Sequence, residues 1–256
     1  SLKIPYIIDF DDAEFHKYDS HKNPIIRKLY SDKIDKLMKN ASTVIVGNEY
    51  LQERAYRAGA KDVVKIPTVI DIEKYPREKV EIQNERFTIG WIGSPSTQKY
   101  LKEIEIPLQI LSKEQNISVT VIGSYNLNLN GVNYNEVKWT EDTYIQELMK
   151  IDVGIMPLPD TPWERGKCGF KLLQYMGCYK PVIASPVGVN KEIVIEGVNG
   201  FLARDSNDWI KYITKLKNNA NMAKVMGENG RKIVEEKYNV KVIVPQLAEI
   251  ILSYGN

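Results

Sequence analysis

The chain has 256 residues, 43% hydrophobic and 27% charged, the composition of an ordinary globular protein with enough length for one large or two modest cores. Its formal net charge of +2 excludes a global field for nucleic acid, so any anion site must be local. The two cysteines, Cys168 and Cys178, fit neither a metal motif nor a disulfide framework, and no run resembles a membrane span or a signal peptide; a reducing, cytoplasmic setting is the simplest expectation.

The chain opens on Ser1-Leu2 without a methionine and runs straight into an apolar stretch, so it reads as the middle of a larger protein that holds part of any active site elsewhere. Lys3 to Asp9 is a strand candidate, followed by the acidic run Asp9-Phe10-Asp11-Asp12. Paired aspartates after a strand either bind Mg²⁺ or cap a turn or helix, and without phosphate-binding glycines beside them the structural role is preferred. Asn23 to Met38 carries Ile25, Ile26, Leu29, Ile34, Leu37 and Met38 at helical spacing and predicts one helix. His16 and His21 lie in the loop before it and read as surface residues. Ser42 to Gly47 is a buried strand, Asn48 caps a helix over Glu49 to Ala58, and Gly59 stops it. Val63 to Ile66 is a short strand, and the polar, aperiodic Ile72 to Glu85 reads as a linker.

A second β/α series begins at Arg86. Phe87 to Ile92 is a strand running into Gly93-Ser94-Pro95-Ser96-Thr97. Pro107 interrupts the pattern over Tyr100 to Gln115, predicting a turn and then a helix from about Pro107. Ile117 to Ile122 is a strand ending in Gly123-Ser124, Asn126 to Asn135 a loop, Glu136 to Trp139 a short strand, and Glu141 to Lys150 a helix capped by Thr140. Val189 to Glu196 is a short helix and Val198 to Leu202 a turn with an edge strand; Ser206 to Lys217, Ala220 to Lys237 and Val240 to Ser253 are helices. Strands alternating with helices predict an α/β fold with Rossmann-like parallel sheets, and ligands of such sheets sit at the carboxyl ends of the strands. The loops Gly93 to Thr97, Gly123-Ser124 and Pro157 to Gly169 share that edge.

The third loop opens the most informative stretch, Trp163 to Cys178, which reads as loop and helix between the strands Asp152 to Met156 and Pro181 to Ser185. Its helix starts near Gly169 and carries lysine where a first turn prefers acidic residues, a conflict that a bound anion resolves. Arg165, Lys167 and Lys171 supply positive charge. Two readings stay open on these residues alone: a diphosphate cradle, or a basic solvated loop before a core helix.

The second unit resembles the C-terminal domain of the group 1 glycosyltransferases, retaining enzymes of GT-B fold. The resemblance rests on Ile66 to Asp71, Phe87 to Gly93, Val119 to Gly123 and, most specifically, Gly169-Phe170-Lys171-Leu172-Leu173-Gln174-Tyr175-Met176, Lys180 to Ser185, Gly188, Glu192-Ile193-Val194 and Asn199-Gly200-Phe201-Leu202. It covers about residues 40 to 240. It implies that residues 1–71 are the end of the N-terminal domain, 72–85 a linker, 86–238 the nucleotide-sugar-binding domain, and 239–256 a return helix.

The resemblance further implies a nucleotide-diphosphate sugar as donor substrate, held without an obligatory metal or cofactor, and transfer with retention to a saccharide or glycolipid acceptor in polysaccharide or glycolipid assembly. It implies donor contacts at Gly93, Ser94, Lys99, Gly123, Ser124, Trp139, Lys167, Gly169, Phe170, Lys171, Leu172 and Gln174, with no nucleic-acid partner and with membrane contact only through the missing N-terminal region, at the inner face. The family's two glutamates fall on Gly166 and Gln174, which leaves Glu164 as the candidate catalytic carboxylate of the loop. Two other readings remain: a non-catalytic nucleotide-sugar binding module, and a GT-B sugar-nucleotide epimerase.

Overall fold

The computed structural model describes residues 4–80, 82, 85–114 and 116–254. Lys3, three residues of the expected linker (81, 83 and 84) and Gln115 therefore lie outside the described residues.

Residues 4–70 build a three-stranded parallel sheet of β1 (Ile7–Phe10), β2 (Thr43–Val46) and β3 (Val63–Lys65), in that order. Strand β2 is buried along its whole length, as its apolar run requires. The crossover from β1 carries α1 (His16–Asp19), α2 (Pro24–Tyr30) and α3 (Lys33–Asn40). The single helix expected over Asn23 to Met38 is two, because the chain breaks at Ser31-Asp32; Ile34 and Met38 are buried while Ile25 and Leu29 stay exposed. His16 is not a free surface residue. Its ring nitrogens meet Asp19 Oδ1 at 2.7 Å and the Tyr50 hydroxyl at 2.8 Å. Helix α4 (Glu49–Arg57) is capped by Asn48, whose side-chain oxygen accepts from Leu51 N at 3.0 Å.

The six-stranded parallel sheet has the order β6-β5-β4-β7-β8-β9, from β4 (Phe87–Ile92), β5 (Ile117–Ile122), β6 (Tyr134–Val137), β7 (Val153–Met156), β8 (Val182–Ala184) and β9 (Gly200–Leu202). The chain moves outward from β4 to β6, then returns to lay β7 on the other side of β4. Loops after β4 and β7 therefore part, and a crevice opens outside their carboxyl ends. Strand β6 lies two residues earlier than expected, which frees Lys138 and Trp139 to stand beyond its end. Pro107 is the third residue of α5 (Glu105–Ser112), where its missing N–H has no intrahelical partner to lose, and a 3₁₀ turn precedes it at Gln98–Ile104. Helix α6 starts only at Tyr144 (Tyr144–Met149), so Thr140 is not its cap.

Between β7 and β8 lie α7 (Pro162–Arg165), which the sequence reading took as loop, and α8 (Phe170–Gly177). Helix α9 (Asn190–Ile193) is shorter than expected, and α10 (Ser206–Lys217) and α11 (Ala220–Lys237) cover the sheet. Helix α11 approaches the end of α8 through Gly227 and Gly230, and the buried Arg231 donates to Gly177 O at 2.7 Å and Pro76 O at 2.8 Å. A cation there also complements the negative end of α8. Helix α12 (Val240–Leu252) returns to the first sheet: Ile70 bridges Asn239, and the Tyr254 hydroxyl meets Thr43 Oγ1 at 2.7 Å. Ile72 and Tyr75, within the stretch expected as a linker, are buried in the core under α8.

Candidate functional site

One cavity of about 730 Å³ opens at the carboxyl edges of both sheets. The six-stranded sheet contributes the loop after β4 (Gly93, Ser94, Thr97), the end of β5 (Gly123), the residues beyond β6 (Lys138, Trp139) and the start of α8. The three-stranded sheet contributes Asp11, Asp12 and Thr68.

The α8 end of the cavity is built to meet an anion. Gly169 precedes the helix with φ +73°, a left-handed conformation that only glycine takes without strain, and a Cβ there would press on the Ile193 Cδ1 at 2.3 Å. Gly169 offers the helix no side-chain cap, and the first turn contains no acidic residue. The Leu172 N–H is taken by Gly169 O at 2.9 Å, so the N–H groups free for a ligand among the described residues are those of Phe170 and Lys171.

Lys171 projects back over Gly93, its Nζ 2.8 Å from where a Cβ on that glycine would stand and 5.0 Å from the centre of the Trp91 ring. Burial, reinforced by the nearby Lys167 charge and opposed by Asp12, pushes its ammonium down to about 8. An anion bound there restores the proton. Diphosphate affinity is thus expected to be full below pH 8 and to weaken as pH rises above it, by up to about tenfold per unit until the bound-state value is passed. Titration calorimetry at pH 7, 8, 9 and 10 reads this directly, and a flat profile would show that Lys171 does not meet the phosphate.

The loop before α8 is clamped between the sheets. Asn48, besides capping α4, donates from Nδ2 to Lys167 O at 3.1 Å. The Cys168 thiol is buried against Gly47, and its burial pushes its ionisation up to about 12, so it packs as an apolar group. Gly166 lies against Ala13, where a Cβ would come within 2.5 Å of the Ala13 Cβ and 2.8 Å of its nitrogen. No side chain fits at that position. Lys167 reaches across to Asp12 at 3.4 Å.

Of the residues singled out from sequence, Gly93, Ser94, Gly123, Trp139, Lys167, Gly169, Phe170, Lys171 and Gln174 line this cavity. Three do not. Lys99 is exposed, its ammonium 5.1 Å from the centre of the Tyr100 ring, and Lys171 stands where Lys99 was expected to reach. Ser124 is buried and bonds Gln98, and Leu172 is buried in the core under α8. Glu164 is also off the lining. It is 4% exposed, and its carboxylate accepts from the Tyr100 hydroxyl at 2.6 Å and from the Thr161 hydroxyl, so it braces α7 as a structural anchor. Trp139 is not a core tryptophan. It is 47% exposed and stacked on Tyr144, with one face left for a planar group. Asp11 and Asp12, whose place after a parallel strand was the signal and for which a structural role was preferred, also line the cavity. Tyr100 and Tyr125 line it with no such signal in the sequence.

The arrangement can accept a flat ring at Trp139, an anion at Lys171 and the α8 N-terminus, and hydroxyl groups near Asp11 and Asp12. Residues 86–219 match the family model for glycosyl transferases group 1, and the chain belongs to that family. It is 25% identical over 194 residues to the capsular polysaccharide biosynthesis glycosyltransferase CapM of Staphylococcus aureus, covering 72% of this chain and 51% of CapM. A shorter segment of 90 residues is 38% identical to an uncharacterized glycosyltransferase of Methanocaldococcus jannaschii, covering 34% of this chain and 23% of that one. The chain thus spans about half or less of the length of these relatives. Among solved structures, HepE of Anabaena in complex with UDP and glucose superposes with a TM-score of 0.76 at 19% identity, over 97% of this chain and 72% of HepE. Sucrose-phosphate synthase of Thermosynechococcus elongatus gives 0.76 at 17%, over 96% and 67%. The fold is that of the GT-B glycosyltransferases. No helix among the described residues is long and apolar enough to cross a membrane, and among them no group of three or more His, Cys, Asp or Glu side chains could hold a metal ion.

Proposed function

We propose that the chain carries the donor half of a glycosyltransferase that moves a sugar from a nucleoside diphosphate to a hydroxyl acceptor. The observation that carries this is the convergence of Lys171, Lys167 and the uncapped start of α8 on one cavity that Trp139 also lines. The nucleobase lies on Trp139 and the diphosphate spans to α8. In the reaction the bond from the anomeric carbon to the diphosphate oxygen breaks, the acceptor oxygen bonds that carbon, and the acceptor's hydroxyl proton passes to the departing diphosphate or to water. Negative charge gathers on the leaving diphosphate, where the Lys171 ammonium and the Phe170 and Lys171 N–H groups lower the barrier. No metal is assigned a part, because the positive groups present suit a diphosphate by themselves.

Transfer with retention, a hexose as the sugar, and a saccharide or glycolipid acceptor belong to the same proposal, which the family membership supports. So do the donor contacts at the nine cavity residues named above and the division of the chain. Residues 1–71 are then the end of an acceptor-side unit, 72–85 a linker, 86–238 the donor-binding unit, and 239–256 its return to the first. UDP is the first nucleotide to try, since the HepE structures contain UDP and UDP-glucose.

The test is calorimetric titration with UDP, GDP and ADP, each with and without Mg²⁺. Binding of one nucleotide without metal is expected. A folded protein that takes none of the three would count against the proposal. Nucleotide-sugar binding without transfer by the full-length protein would favour the binding-module reading, which the packed Gly166 and the internally bonded Glu164 give some ground for.

A further inference from the structure

Resting on that reading, we infer that Asp12 selects the sugar of the donor by accepting hydrogen bonds from its hydroxyl groups. A sugar presents hydroxyls that need acceptors once water is excluded, and a carboxylate accepts at both oxygens. Asp11 and Asp12 are the carboxylates that line the cavity. The key loop supplies none, because Glu164 spends both oxygens on Tyr100 and Thr161 and position 166 is closed by Ala13.

Asp12 is held in place. Its carbonyl accepts from Glu14 N at 2.8 Å, and the residues that follow, Ala13 and Phe15, are buried anchors. It is also placed beside the phosphate end of the cavity, since Lys167, its partner at 3.4 Å, lies three residues before the start of α8. One long contact leaves most of its acceptor capacity unused. A second observation points to a ligand there: the partly buried Lys171 ammonium lines the same cavity and has no hydrogen-bond or ion-pair partner among the described residues. The diphosphate that satisfies Lys171 and draws on Lys167 leaves its attached sugar against Asp12. Asp11 is more exposed, so Asp12 is the residue assigned.

The experiment compares UDP with UDP-glucose, UDP-galactose and UDP-N-acetylglucosamine by calorimetry, on the unaltered protein, Asp12→Asn and Asp12→Ala, with and without Mg²⁺. The expected result is that both variants bind UDP as well as the unaltered protein or slightly better, because Lys167 is released. The variants are then expected to lose about tenfold of the affinity for the UDP-sugar that the unaltered protein binds best, the size of one hydrogen bond to a charged group. Retained UDP binding shows that the variants are folded, and the isosteric Asp12→Asn serves if the alanine variant does not fold. An unchanged ratio of UDP to UDP-sugar affinity in Asp12→Asn overturns the assignment while leaving the nucleotide site intact. Loss of an Mg²⁺-dependent part of UDP binding would instead make Asp12 a metal ligand and overturn it. Failure of the unaltered protein to bind any of the four compounds, or GDP or ADP, overturns the reading on which the inference rests.

Discussion

Lys171→Ala is expected to lower nucleoside-diphosphate affinity by about 10- to 100-fold, the ~1.5–3 kcal/mol of a hydrogen bond to a charged group. Its effect on turnover of the full-length protein is expected to be larger, about 10²- to 10³-fold, because charge on the leaving diphosphate is greatest in the transition state. The same change should leave the empty protein as stable as before or more so. The ammonium is desolvated and lacks an acid partner among the described residues, and burial holds its ionisation down to about 8, so keeping it charged at neutral pH costs folding energy. Calorimetry with UDP and with uridine separates the cases. Loss confined to the phosphorylated ligand fits the cradle; equal loss for uridine would mean that the substitution had collapsed the cavity.

Gly227→Val is expected to cost about 3 kcal/mol or more of stability, by overpacking against a neighbour that cannot move aside. A Cβ at Gly227 would stand 2.0 Å from the Tyr179 carbonyl oxygen, which is backbone. Helix α11 must then withdraw from the end of α8, and Arg231 loses its reach to Gly177 O and Pro76 O. At about 2–4 °C per kcal/mol for a chain of this size, the melting temperature should fall by about 6–12 °C. Because α8 also positions Lys171, nucleotide affinity should weaken along with it. A thermal melt within 2 °C of the unaltered protein would show that α11 is free to shift at no cost.

How much of this was legible beforehand can be traced residue by residue. Helices α10 and α11 were readable because each is long, periodic and bounded by its own cap, Asp205 before α10 and Asn219 before α11, and the strands of the second sheet because each is a short apolar run between turn residues. Elements shaped by tertiary contacts were not. Ser31-Asp32 divides a continuous helical pattern, and α7 forms on four residues, Pro162–Arg165, whose Glu164 is fixed by Tyr100 from a distant turn. Within the site, Gly169 and Lys171 announced themselves by breaking a local rule. Lys99 and Lys171 could not be ranked, since which lysine reaches the crevice depends on the packing of Trp91 and Gly93 beneath it. Asp12 was seen but given a structural role for a related reason. Its importance comes from meeting Lys167, 155 positions later in the chain.

The return of the last helix to the first sheet has a consequence for how the chain is made. The Tyr254 hydroxyl meets Thr43 across 211 positions, and Asn239 bridges Ile70. At a synthesis rate of about 5–20 residues per second, the first sheet waits roughly 10–40 s for that contact, while the six-stranded sheet can close as soon as β9 emerges. On the ribosome, then, the half that carries Lys171 is finished before the half that carries Asp12 is secured.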